Sequence, residues 1–270
     1  MPTRLPYLLL ASLAIGCQPA PDAPTELGDL TLFFFSEFET ADDAYYGDAL
    51  LNLEAGVLST VDLAGERADR KWIQPTLYEE HWGGAAGPAE IDPDVQVPIT
   101  VAGLSTWPVS THAMATLQPD QAPLEPSAPE HDRTYPNDTT CWSEETCTRL
   151  DTDNVVKKAN ILYDITYETE KDYRRLTLSD GRQAMVARTW NDSVALGDEG
   201  VNSIDQNYAT EVFIESPTDS GQTQRMMAIW TSTTLPASNP SDELVRGTIS
   251  VGIDGLFRRH DEFHAEQAGN

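Results

Sequence analysis

The C-terminal half of the chain constrains the fold more than any other part, because its apolar residues recur at every second position through successive stretches. In NILYDITYETE (160–170), Ile161, Tyr163, Ile165 and Tyr167 alternate with Leu162, Asp164, Thr166 and Glu168, the period of a half-buried strand. YRRLTL (173–178) and QAMVARTW (183–190) flank Asp180-Gly181, a hairpin tip. YATEVFIES (208–216) and QRMMAIWTSTT (224–234) are separated by the turn PTDSGQ. After them, Ile253, Leu256, Phe257, His260, Phe263 and His264 are spaced for one face of a terminal amphipathic helix.

The N-terminal half has a different rhythm. Leu30, Phe33, Phe34 and Phe38 in DLTLFFFSEF have helical spacing, although a buried strand would also accommodate them. Tyr46, Leu50, Leu53 and Val57 recur at i, i+4, i+7 and i+11, with Asp42 and Asp43 ahead of them. That is one helix face with acids at the positive end of its dipole. VQVPITVAGL (95–104) and STWPVSTHAMATL (105–117) read as strands interrupted by proline, hence edge strands or strand ends. Prolines 119, 123, 126, 129 and 136 mark a long irregular loop over 118–140.

Helices, then antiparallel strands, then a closing helix predict an α+β fold. The expected parts are N-terminal helices, a curved antiparallel sheet of about six to eight strands, and a C-terminal amphipathic helix. This order, over residues 40 to 267, is similar to the helix-grip arrangement of START-type lipid-transfer domains, where a curved sheet wraps the last helix over an apolar cavity. The likeness lies in element order, with no sequence motif behind it. If the sheet is strongly curved, its apolar faces line a cavity: Ile161, Tyr163, Ile165 and Tyr167; Val212 and Ile214; Met226, Ala228 and Trp230. Phe257 of the last helix closes it, and Arg188 is the polar partner for a head group. The alternative is that the same faces form a solid core.

Charge narrows the partners. The chain has 44 acidic residues against 17 basic ones, for a net charge of −27. Only Lys71, Lys157, Lys158 and Lys171 are lysines. Such a chain repels nucleic acid, whose recognition needs cations on phosphates, and it repels anionic lipid head groups. The acids are dispersed, which suits solubility. A structural or protein-interaction role for the acidic surface or the Pro-rich segment is the alternative to a ligand pocket.

The first residues read as an address. Arg4 precedes an apolar run from Leu5 to Ile15, too short for a membrane helix, which takes roughly 20 residues. Ala14 and Gly16 supply the small residues of an export signal. Leu13-Ala14-Ile15-Gly16-Cys17 resembles the lipobox of bacterial lipoproteins, although that motif favours Leu three places before the cysteine and Ala or Ser two before. The resemblance implies acylation of Cys17, anchoring through N-terminal acyl chains in the cell envelope and, since Gln18 is not Asp, the outer membrane. Each buried methylene contributes about 0.8 kcal/mol, so two or more chains anchor stably. A soluble periplasmic or secreted protein is the alternative. On this reading residues 1–16 are the signal, 17–28 a Pro-rich tether and 29–270 one globular domain.

Catalytic motifs are not found, and no cofactor or enzymatic activity is expected. Cys141 and Cys147, in CWSEETC, are spaced to form a disulfide in an oxidising compartment; with His131 they could also offer zinc ligands. His260 and His264 stand one turn apart in HDEFH and have the spacing of two metal ligands. Asp261 occupies the place of the glutamate in HExxH and no further ligand can be assigned, so packing is the reading taken. Asp151-Thr152-Asp153-Asn154 and Asp198-Glu199-Gly200 offer oxygen ligands without the EF-hand pattern. Ser105, in Gly103-Leu104-Ser105-Thr106-Trp107, lacks the second glycine of a nucleophile elbow. The anchor has a direct check: Cys17→Ser is expected to move the protein from the detergent phase to the aqueous phase and to remove acyl mass from the intact chain.

Overall fold

A computed structural model describes residues 22–85, 87, 92–159, 164–197, 202–234 and 240–269. Cys17 with the rest of the leader, Tyr163 and the Asp198–Gly200 loop lie outside the described residues. Two helices open the fold, α1 (Leu27–Ser36) and α2 (Asp43–Gly56). Asp42 caps α2, its carboxylate accepting from the Tyr45 amide at 2.8 Å. The anticipated α2 face is buried at Tyr46, Leu50, Leu53 and Val57.

Nine strands follow among the described residues. They are β1 (Lys71–Trp72), β2 (Val97–Ser105), β3 (Glu130–Thr134), β4 (Arg149–Ala159), β5 (Asp164–Thr177), β6 (Gln183–Trp190), β7 (Ala195–Leu196), β8 (Ser203–Glu215) and β9 (Thr223–Thr234). All pairings are antiparallel, in the order β1-β2-β9-β8-β6-β5-β4-β3, with β7 on β8. Short helices α3 (Val109–Ala115) and α4 (Thr140–Ser143) lie between strands, and α5 (Asp242–Ala268) closes the chain. The fold is α+β and helix-grip-like. No helix of the described residues is long and apolar enough to cross a membrane.

Four local readings change, and the described sheet has nine strands where six to eight were expected. The stretch 118–140, expected to be irregular, holds β3 and a 3-10 turn over Ala122–Leu124. The stretch 105–117, expected to be a strand, holds α3, entered through Pro108 at its N-cap, where a missing N–H costs nothing. Residues 164–177, expected as parts of two strands, form one long β5. Ahead of it stands β4, which the hydrophobic pattern hides because two of its buried positions, Thr152 and Asn154, are polar. Asp151 and Asp153 point outward from β4; they sit on a strand and not in an ion-binding loop. The anticipated hairpin tip is present, with Gly181 at φ 90°, a conformation suited to glycine. Cys141 and Cys147 form a disulfide, with Cα atoms 5.3 Å apart.

The sheet has two covered faces. One packs beneath α1 and α2, where Leu176, Val186, Val212, Ile214 and Met226 meet Phe34, Tyr46, Leu50 and Leu53. Arg174 pins the α1–α2 connection to this face. Its guanidinium donates to the carbonyls of Phe38 (3.0 Å) and Ala41 (2.8 Å) and to Asp43 (2.6 Å), and lies 4.4 Å from the Tyr46 ring centroid. The other face looks toward α5, which rests on β2 through Ile99, Val101, Ile253 and Phe257. A Cβ at Gly103 would stand 2.9 Å from the Phe257 ring, so glycine permits that close approach. Phe34→Ala is expected to cost about 3–5 kcal/mol of stability, read as a lowered midpoint in urea unfolding with an unchanged m-value.

Candidate functional site

The α5-facing side of the sheet is not filled. A cavity of about 380 Å³ lies between it, α5, α3 and the segment around Leu124. The register explains why. On this face β8 presents Asn207, Ala209 and Glu211, β6 presents Thr189, and β9 presents Thr231 and Thr233. These are small or polar residues, and α5 leans on β2 instead of reaching them. Apolar wall is supplied by Ile204, Phe213, Met227, Ile229, Ile249 and Leu256. Part of the Pro-rich stretch is also wall, through Gln121, Leu124, Pro126 and Arg133.

The residues anticipated for a ligand distribute across both faces. Tyr167 lines the cavity. Trp230 lies on the other side of the sheet, buried with Phe35 and Tyr208, its indole donating to the Pro75 carbonyl at 2.7 Å. Arg188 shares that side; it donates to the Gly83 carbonyl (2.9 Å), pairs with Glu39 and Asp172, and lies 4.6 Å from the Trp190 ring. Val212, Ile214 and Met226 are in the core beneath α1 and α2. Phe257 packs on Ile99 and Val101 beside the cavity and does not line it. The physical reason is parity: the most apolar alternate residues of β8 and β9 went to the solid core, leaving the mixed set for the cavity.

His260 and His264 meet a third ring, His112 from α3. The His112 and His264 centroids are 4.8 Å apart, and His260 lies 6.3 Å from His112. Among the described residues no three His, Cys, Asp or Glu side chains are grouped to hold a metal ion. His112 and His264 instead belong to a hydrogen-bond chain that ties α5 to the sheet, and His260 packs against both rings. Ser105 Oγ donates to Asp261 Oδ1 (2.5 Å) and accepts from the Trp107 amide (3.2 Å). With its one proton spent, Ser105 must accept from His112 Nε2, 3.0 Å away. His112 Nδ1 is then the acceptor for His264 Nε2 at 3.3 Å. Arg225 donates to Asp261 Oδ2 (3.0 Å) and to the carbonyls of Phe257 and Leu104.

In a hydrolytic triad the histidine sits between hydroxyl and carboxylate. Here the buried serine does, so the arrangement positions α5 and does not activate Ser105. Sequence spacing could not join Ser105, His112 and Asp261, which come from three separate elements. Also along the cavity wall Lys171 pairs with Glu211, Lys158 pairs with Glu125, and His131 Nδ1 lies 2.8 Å from Glu125. This polar group also escaped the sequence, since single charged residues inside alternating strands look like solvent-facing positions.

No protein-family model and no curated protein matches the chain. Among solved structures it is similar to a STAR-related lipid transfer protein fragment from Xanthomonas axonopodis (TM-score 0.43, 10% identity, 62% of this chain and 85% of that one). It is similar also to a START superfamily protein from Mycobacterium smegmatis (TM-score 0.40, 9% identity, 63% and 98%). A third is the Zhui aromatase/cyclase from Streptomyces sp. R1128 (TM-score 0.37, 8% identity, 64% and 94%). At these identities and scores no ligand, activity or residue role carries over.

The buried rings set an acid response. Burial, then Arg225, holds His112 and His260 well below the usual 6.5 and His264 near 4; burial, then Arg133, holds His131 near 4. The folded chain keeps these rings neutral, whereas the unfolded chain protonates them as pH falls below about 6.5. Their contribution is therefore complete above about 6.5 and is lost as pH falls toward 4. Asp172 and Glu170, raised by burial to about 6 and about 7, act in the opposite sense, two groups against four. The thermal midpoint is expected to fall between pH 6.5 and 4, and to fall less steeply in His264→Phe.

Proposed function

We propose that the chain is a binding module for an apolar small molecule, carried in the cell envelope on an acylated Cys17. One observation supports the binding reading above the rest: the cavity of about 380 Å³ between sheet and α5. Its size falls within the roughly 300–1,000 Å³ of small-molecule sites, which are mostly apolar with a few placed polar groups. Ile204, Phe213, Met227, Ile229 and Leu256 provide apolar wall, and the ion pairs near Lys171 provide the polar minority.

The rest of the protein is built to keep that space open. Ser105, His112, Asp261 and Arg225 fix α5 over β2, and Ile253 and Phe257 seat it there. Collapse of the helix onto Ala209 and Thr231 would break those hydrogen bonds inside a buried layer, where an unpaired polar group costs about 1–3 kcal/mol. A binder needs no reacting group, and the serine–histidine contact is used for position.

The envelope placement rests on the leader resemblance, and the Cys141–Cys147 disulfide is compatible with it because such bonds persist in oxidising compartments. Native mass spectrometry of protein taken from its own cells is expected to show a retained small molecule. Ala209→Phe, which places a ring on the cavity floor, is expected to lose that mass while keeping its thermal midpoint within a few degrees. Retention of the same mass by Ala209→Phe would overturn the cavity as the binding place.

A further inference from the structure

The charge inside the cavity runs against the charge of the chain. Overall the chain carries −27 with only four lysines, yet two of those lysines, Lys158 and Lys171, line the cavity together with Arg133. The carboxylates among the lining residues are Glu125 and Glu211. Glu211 is taken by Lys171 and Glu125 by Lys158.

Arg133 is the surplus. It is 4% exposed; its Nε donates to Asn154 Oδ1 at 2.8 Å and its Nη1 to the Thr116 carbonyl at 2.9 Å. Both partners are neutral, and no carboxylate among the described residues forms an ion pair with it. Arg133 and Lys171 both lie against the Tyr173 ring, 5.4 and 5.5 Å from its centroid, and the guanidinium charge is felt at Lys171. Burial, and after it the Lys171 charge, brings Lys158 down to about 7.

Resting on the binding-module reading, the geometry points to an amphipathic monocarboxylate as the ligand, with its chain or rings against Phe213, Met227 and Ile229 and its carboxylate on Arg133. A carboxylate supplies the single counter-charge missing among the described lining residues. It also fits the planar fork of arginine better than a neutral hydroxyl does. A phosphate monoester, at nearly two charges near neutral pH, would over-compensate one unpaired cation. A cationic amphiphile would add to the surplus.

Calorimetric titration of the full chain with dodecanoate, dodecan-1-ol, dodecyl phosphate and dodecyltrimethylammonium tests this. The result expected is dodecanoate binding roughly tenfold or more tightly than dodecan-1-ol, and more tightly than the phosphate or the ammonium. In Arg133→Met the dodecanoate affinity is expected to fall to that of dodecan-1-ol, with the alcohol unchanged. Equal wild-type affinities for acid and alcohol, or a preference for the phosphate or the ammonium, would overturn the monocarboxylate and leave the cavity reading standing. Survival of the acid preference in Arg133→Met would overturn the place of Arg133. The wild-type ratios need no variant to fold. If none of the four binds, the inference falls, and the cavity reading is judged separately by the mass retained in wild type against Ala209→Phe.

Discussion

The pairing of β8 with β9 is the constraint on which the other features depend. It runs from Ser203–Thr234 to Glu215–Thr223 with a single irregularity between Ile204 and Gln206. Through the regular part, alternate residues of each strand are committed to opposite layers. One set, Val212, Ile214 and Met226, is core; the other, Ala209, Glu211, Met227 and Ile229, is cavity wall. A one-residue slip would exchange the two sets and bury Glu211 beneath α1 and α2 without Lys171. Solid core on one side fixes the register that keeps space on the other.

The second requirement is that α5 stay raised. Apolar contact alone would favour its settling onto the sheet, because burial is roughly proportional to area and has no direction. Hydrogen bonds are directional, and those through Asp261, Ser105 and His112 fix both distance and rotation. Arg225 strengthens the same anchor by holding the carboxylate and the carbonyl of Phe257 together. The buried polar residues of this face thus decide helix position, and the buried apolar ones decide that there is a helix there at all.

Much of the architecture was legible from alternation and helical spacing. Tyr46, Leu50 and Leu53 announced α2, and β6 and β9 stand close to their expected limits, whereas β8 begins at Ser203, well ahead of the expected Tyr208. β4 was hidden because Thr152 and Asn154 occupy inward positions where the pattern expects apolar side chains. The cavity was harder. Periodicity shows that two sets of residues alternate, but it does not show which set faces which layer when both are buried, as in TEVFIE. Choosing the more apolar set for the ligand put Trp230 and Arg188 on the wrong side of the sheet from the cavity. A mixed set of small, polar and apolar residues was the better signal, since close-packed cores seldom tolerate it.

The way the chain enters the fold has a consequence for how the molecule is presented. Asn52 of α2 donates to the carbonyls of Ala23 and Pro24, so the first described residues are stapled to the helical layer on the far side of the sheet from α5. The described chain therefore begins on that back surface. An anchor of the kind proposed at Cys17 would then hold the body by its helical side and leave the hollow half turned away from the mooring.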